Sequence, residues 1–414
     1  MNLSASKQVS ITLLSRKHIA ILTLATGIAV ANLYYSQPLL DQFRSYFGVG
    51  PGPAGLIVTA TQVGYCLGLL LLLPLGDILE RRNLVAFLSG ICALLLIAAS
   101  QTHQFTAFIA ENAVTGFLSV VAQILVPFAA SFTSFEKRGR VVGTVMSGLL
   151  VGVLLARVFS GYVAFALGWQ WVYIIAGILM AALAAILRLF LPSYRERGLI
   201  AYHTLVVSLL DLYRREPVLR WRSLFGALAF AEFSVLWTSL AFLLSGPPYH
   251  YSTGIIGLFG LAGAVGATTA SVAGRLSDKG FARPTTTLAS FGLLIAYVFT
   301  LVGRYYLTAL IAGILILDFA VQGIHISNQS IIYRLKNHSH SRINSIYMTM
   351  YFLGGVFGST VSAFVYQFFG WVGVCASGIA IAAITLTLII ASGNASYANS
   401  GGRLVLPQSE NTKD

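Results

Sequence analysis

Apolar residues run in twelve nearly unbroken stretches of about 20 residues, the length a helix needs to cross a bilayer, separated by short polar or Gly-Pro punctuation. The stretches are 18–40, 54–75, 84–100, 105–130, 141–165 and 171–191, then, after a longer polar interval, 222–244, 254–274, 285–303, 306–328, 343–366 and 371–391. Transmembrane strands would alternate polar and apolar positions over about 10 residues. Runs such as Gly64–Leu75 (GYCLGLLLLLPL) are instead apolar on every face. The pattern predicts an all-α membrane protein of twelve transmembrane helices in two six-helix halves. Residues 1–17 precede the first half (18–191), a linker (192–221) joins it to the second (222–391), and 392–414 form a Gly/Ser/Asn-rich tail expected to be disordered. Within the linker, Tyr202–Tyr213 has helical apolar spacing with charge at either end, which predicts a short interfacial helix.

Composition closes off the soluble alternatives. Of the 414 residues 57% are hydrophobic and 9% charged, against about 25% charged in soluble domains, and mean hydropathy is +0.81. The net charge of +13 reflects topology. With the N-terminus inside, 22 of the 26 Lys and Arg residues fall in inner segments and only Arg44 and Arg304 in outer loops, the asymmetry that places both termini in the cytoplasm. A nucleic-acid binder would gather its basic residues into one stripe. Cys66, Cys92 and Cys375 are far apart inside apolar runs and imply neither a disulfide framework nor a metal site.

The two halves repeat each other. Leu73-Pro-Leu-Gly-Asp77-Ile-Leu-Glu-Arg81-Arg82 aligns with Gly274-Arg-Leu-Ser-Asp278-Lys279-Gly-Phe-Ala-Arg283 at an offset of 201. Gly168-Trp169 aligns with Gly370-Trp371, and Gly152 with Gly354, at 202. Span count, repeat and the charged loop after the second span of each half resemble the major facilitator superfamily. Asn32-Leu-Tyr-Tyr-Ser-Gln37-Pro38 and Arg342-Ile-Asn344…Gly354-Gly355…Gly358-Ser359 are similar to its bacterial proton-coupled drug- and arabinose-efflux-like permeases. In the first half the motif's leading Gly is Leu73 and its second Gly is Glu80; Asn112 stands where drug antiporters carry a fourth-span Arg, and the fifth span has no Gly-Pro. The resemblance implies that Asp77, Arg81, Arg82, Asp278, Lys279 and Arg283 form a cytoplasmic gate bridging the halves. It also puts spans seven and ten beside a central cavity.

Four ionisable residues stand inside spans, where charge is unfavourable and by default marks a ligand or ion pathway or an internal pair. At 1.5 Å per residue, Glu111 and Arg157 lie about 10 and 12 Å from the outer ends of their spans, Glu232 and Asp318 about 18 Å. Equal depth suggests Glu111 and Arg157 as a buried ion pair or a substrate contact. Glu232 and Asp318, with no basic residue at their depth, are candidates for proton coupling. Asn32, Tyr35, Gln37, Gln123, Trp237, Gln322 and Asn328 are candidate cavity residues, an inventory suited to an uncharged or cationic ligand. Phe233, Tyr347 and Tyr351 could line the same cavity, and His325 reads first as a helix-packing hydrogen-bonder. Gly148/Gly152 and Gly354/Gly355/Gly358 would permit close backbone contacts that slide as the halves rock.

No Gly-Lys dipeptide exists, so a phosphate-cradling G-x-x-x-x-G-K-[ST] loop is excluded, and no H-E-x-x-H set supports an intramembrane metalloenzyme. A membrane sensor would carry an appended soluble domain. The expectation is a non-enzymatic secondary transporter in the bacterial inner membrane, a monomer with neither metal nor cofactor, exporting a small molecule in exchange for protons. Proton-driven import or facilitated passage of a small metabolite is the alternative on the same scaffold.

Overall fold

The computed structural model describes residues 15–193, 202–263, 276, 281–335 and 340–392. The predicted gate residues Asp278 and Lys279, the inner part of span eight and all but the first residue of the tail lie outside that set. The helices are α1 (Arg16–Ala31), α2 (Leu40–Phe47), α3 (Pro51–Leu71), α4 (Arg81–Ala99), α5 (Phe105–Leu118), α6 (Val121–Ser131), α7 (Phe135–Leu167), α8 (Trp169–Phe190), α9 (Tyr202–Arg215), α10 (Pro217–Ser245), α11 (Thr253–Leu258), α12 (Ala282–Val302), α13 (Leu307–Ile332) and α14 (His340–Ala391). No strand occurs among the described residues.

Nine described helical stretches are long and apolar enough to cross a membrane. They account for ten of the twelve expected spans, because α14 carries spans eleven and twelve, bent at Gly370. Span eight shows only its outer part, Thr253–Ala262. Span one is divided into α1 and α2 by turns at 32–36. Pro38 lies just beyond, and a proline ring crowds the carbonyl four residues back; the amides of Leu33 and Tyr34 reach only three residues back, to Val30 and Ala31. Span four is interrupted at Ser119, whose hydroxyl bonds back to the Thr115 carbonyl at 2.7 Å, an arrangement that bends helices. The two interruptions meet where Asn32 Nδ2 donates to Ser119 Oγ at 3.4 Å.

The sequence repeat reappears as geometry. Gly168 and Gly370 both adopt positive φ, +95° and +59°, which side chains disfavour, and each turns the chain at the outer end of its half. The tryptophan that follows is buried in both cases: Trp169 among Phe43, Phe108 and Tyr173, Trp371 with its indole N–H on the Thr300 carbonyl at 2.8 Å. Gly148 and Gly152 pack onto the backbone of Thr23 and Gly27 in α1, while Gly354 and Gly358 pack onto Ala227 and Ala231 in α10. These contacts lie inside the halves, one to each. They join span five to span one and span eleven to span seven, whereas Gly355 lies against Phe230 of its own half and Gln62 Oε1 of the other.

Between the halves the close approaches include Gly161 to Gly257 and Gly55 to Ala363, positions the sequence reading did not single out. Hydrogen bonds reinforce them: Gln42 Nε2 to Thr253 Oγ1 at 2.8 Å, the Gly52 amide to Gln367 Oε1 at 3.1 Å, Thr59 to Ser359 at 2.8 Å and Gln62 Nε2 to Ser234 at 3.3 Å. Large apolar side chains such as Leu24, Phe87, Leu94, Leu189, Leu288 and Phe368 are exposed on the outside, where a bilayer would cover them. In α9, Leu205, Leu209 and Leu212 are buried on one face, and Tyr202 reaches the Leu71 carbonyl at the inner end of α3 at 2.8 Å.

Candidate functional site

Arg157 sits ten residues before the outer end of α7 and is 2% exposed. Its Nε donates to Gln37 Oε1 at 2.7 Å, on the short 3-10 turn Gln37–Leu39 that follows the break in span one. Its guanidinium carbon lies 3.9 Å from the ring centroid of Trp237, 4.9 Å from Tyr34 and 5.4 Å from Phe233. Trp237 and Phe233 belong to α10, so an arginine of the first half is clasped by aromatic rings of the second. A cation over an aromatic face is attracted by the ring quadrupole, by about 2 kcal/mol when water is excluded.

Trp237 passes the interaction on. Its Nε1 donates to Asp318 Oδ1 at 3.3 Å, and Asp318, in α13, is 3% exposed. Arg157 and Asp318 interact electrostatically without closing to a direct ion pair, and the Trp237 indole touches both. Gly257 and Gly260 let the second half approach: a Cβ on Gly260 would meet the Arg157 side chain, and one on Gly263 would meet Leu154 and approach an Asp318 oxygen at 3.4 Å. Gln37, Arg157, Trp237 and Asp318 are thus brought together from spans one, five, seven and ten, with Tyr34 of the same polar stretch of the first span as a wall.

The pairing expected between Glu111 and Arg157 does not form. Equal depth says nothing about direction around a helix, and Glu111 turns away, accepting from Thr102 Oγ1 at 2.9 Å within the first half. The expectation of no basic residue near Asp318 is likewise corrected, because Arg157 reaches across the interface. Glu232 also departs from its expected place. It is fully buried and turned from the cavity side, its Oε1 accepting from Thr385 Oγ1 in span twelve at 3.2 Å; beside it the Tyr297 hydroxyl donates to the Glu232 backbone carbonyl at 2.5 Å. Successive helix positions differ by about 100°, so the face that shows Phe233 and Trp237 to Arg157 points Glu232 into the second half's own core.

The remaining cavity candidates disperse. Asn32 bonds Ser119, Tyr35 packs its ring 5.7 Å from Phe159, Gln123 is buried and Gln322 half-buried. Asn328 belongs to a second polar cluster that the sequence reading missed, centred on Arg222. That arginine is fully buried, with Nη1 donating to Asn328 Oδ1 at 3.2 Å and approaching Thr286 Oγ1 at 3.5 Å. His325 completes the neighbourhood by bonding Tyr347 at 3.1 Å. A charge at a span's edge reads as a boundary, but α10 begins at Pro217, a residue suited to a first helical position, and so carries Arg222 more than a turn inside.

At the end of the first half that carries the predicted gate loop, Arg81 donates to the Gly76 carbonyl at 2.7 Å and to Ser131 at 3.3 Å, while Arg82 pairs with Glu80 at 3.1 Å and reaches the Leu191 carbonyl at 3.4 Å. These partners lie in the first half and brace its rim; Asp278 and Lys279, which the gate would need from the second half, lie outside the described residues. Among the described residues no group of three His, Cys, Asp or Glu gathers to hold a metal.

The sequence profile of the Major Facilitator Superfamily matches residues 22–339. The chain is 47% identical over 373 residues to the uncharacterized transporter YgaY of Escherichia coli O157:H7, covering 90% of this chain and 95% of that protein. It is 33% identical over 365 residues to the probable transporter SCO4007 of Streptomyces coelicolor, covering 87% and 84%. Among solved structures, an inward-facing, unoccupied bacterial homologue of the human lysosomal transporter Spinster superposes with a TM-score of 0.72 at 13% identity, over 92% of this chain and 95% of that one. The nucleoside transporter NupG superposes with a TM-score of 0.69 at 15% identity, over 92% and 99%; both likenesses concern the fold. With nine described apolar stretches long enough to span a membrane, a repeated pair of halves and a profile match across most of its length, this multi-pass membrane chain is a transporter of the Major Facilitator Superfamily.

Proposed function

We propose that the chain is a proton-coupled secondary transporter working by alternating access, with Asp318 as the proton site and Arg157 as its counter-charge in the opposite half. The observation that carries this reading is the line Gln37–Arg157–Trp237–Asp318 across the interface. A buried arginine and a buried carboxylate stabilise each other, and removing the charge of either leaves the other uncompensated, at about 3–5 kcal/mol. Protonating Asp318 therefore changes how firmly the halves hold together at this point, which is what a coupling ion must do in a rocking carrier.

The sense of coupling follows from the substrate's charge. A ligand that competes with the proton for Asp318 gives exchange, the export against proton entry expected from the sequence. A ligand that competes with Asp318 for Arg157 gives co-transport. In either sense Asp318 has to titrate during the cycle.

The test is proton movement in proteoliposomes carrying an internal pH-sensitive dye, with wild type and Asp318→Asn compared over a panel of cationic, neutral and anionic small molecules. Wild type is expected to move protons with one charge class, and Asp318→Asn to bind that class without moving protons. Proton movement retained in Asp318→Asn would dismiss Asp318 as the coupling site.

A further inference from the structure

Two buried donors beside the interface are unspent. Arg157 Nη2 and Gln37 Nε2 have no hydrogen-bond partner among the described residues, and each side chain is 2% exposed. They belong to one contact. Because Gln37 accepts from Arg157 Nε through its Oε1, the hydrogen-bond network fixes its amide orientation and leaves the NH2 as the free arm. Buried N–H groups are nearly always paired, and leaving one without an acceptor is unfavourable. Asp318, which accepts the Trp237 indole N–H, makes no hydrogen bond to Arg157 Nη2.

We propose that Arg157 and Gln37 bind the carboxylate or sulfonate of a small organic anion, and that this anion travels together with a proton on Asp318. The guanidinium offers a planar fork suited to a two-oxygen acid group, and Tyr34, Phe233 and Trp237 surround it with ring faces against which an apolar ligand body can lie. The second half of the proposal rests on Asp318 being the proton site and follows from charge balance. The site holds one positive and one negative group. The other titratable groups facing them are the phenols of Tyr34 and Tyr351, uncharged near neutral pH. From α7 and the outer part of span eight the neighbours are Leu154, Gly260 and Gly263. An added anion makes the buried site net negative unless Asp318 is protonated, so anion and proton favour each other's binding.

The experiment measures binding calorimetrically to the purified full chain in detergent, using acetate, benzoate and benzenesulfonate with the uncharged benzamide and the cationic benzamidine as controls of similar shape. These acids stay ionised at about pH 6 and about pH 8, so any pH dependence belongs to the protein. At least one anion is expected to bind, more tightly at the lower pH, with neither control binding. Arg157→Gln is expected to weaken it about ten- to a hundredfold. Wild-type measurements at the two pH values carry the test should that variant fail to fold. Anion binding that ignores pH and is unchanged in Asp318→Asn would remove the coupling to Asp318 while leaving the anion site standing. Binding of benzamidine with none of the anions, or anion binding indifferent to Arg157→Gln in a folded variant, overturns the anion site itself.

Discussion

Arg157 of the first half lays its guanidinium on the indole face of Trp237 of the second, 3.9 Å from the ring centroid. The contact is buried on both sides and joins the units that alternating access must separate. Replacing Trp237 with Leu should therefore lower thermal stability in detergent by about 2 kcal/mol. Arg157→Gln should lower it further, by about 3–5 kcal/mol, because Asp318 is left buried without its counter-charge. Adding Asp318→Asn to Arg157→Gln should restore part of that loss; a double variant no more stable than Arg157→Gln alone would show that the two charges are not coupled.

Glu232 and Asp318 should part company under neutral substitution. Glu232 faces Thr385 and no charged group within the second half, so Glu232→Gln keeps its shape and an acceptor for Thr385. Proton-coupled uptake or release in proteoliposomes should remain within about twofold of wild type, a difference under 1 kcal/mol in barrier. Asp318→Asn in the same assay should abolish coupling. Equal losses in both variants would put Glu232 back on the proton path.

The outer side of the interface is tied by Gln42 and Thr253. With cysteines at these two positions, a short bifunctional thiol reagent should link the halves and stop transport, with recovery only if a cleavable linker is cut. The native thiols will not interfere, since Cys66, Cys92 and Cys375 are free and buried. Full transport by the linked protein would mean that the outer side does not have to open.

Gly152 and Gly354 should be intolerant of side chains, because a Cβ at either position would strike backbone, of Gly27 and of Ala227 respectively. Val at either site should cost about 1–3 kcal/mol by overpacking, read as a fall in thermal unfolding temperature. Gly90, around whose added Cβ there is open space, provides the tolerant control.

The spans and the repeat were legible in the sequence because hydropathy and glycine placement are properties of position along the chain. The site was legible in composition and illegible in pairing. Counting residues gave Glu111 and Arg157 similar depths, and depth alone cannot tell that one turns toward Thr102 while the other crosses to Trp237. The same blindness to rotation placed Glu232 beside the cavity, one residue away from Phe233, which does face Arg157. Arg222 was lost for another reason: a charge near the end of an apolar run looks like its boundary until the helix is seen to start at Pro217.

The Gly-Trp corners at 168 and 370 show a frame built twice, yet the charges were written once. Moving 202 residues along the chain carries Arg157 onto Ser359, and moving back by the same step carries Asp318 onto Gly116. A carrier with a symmetric frame could accept a ligand in two mirrored poses, one read by each copy. Here only one pose meets both the arginine and the carboxylate, so a cargo with distinguishable ends has a single way round, and the chain should discriminate between compounds that differ only in which end bears the charged group.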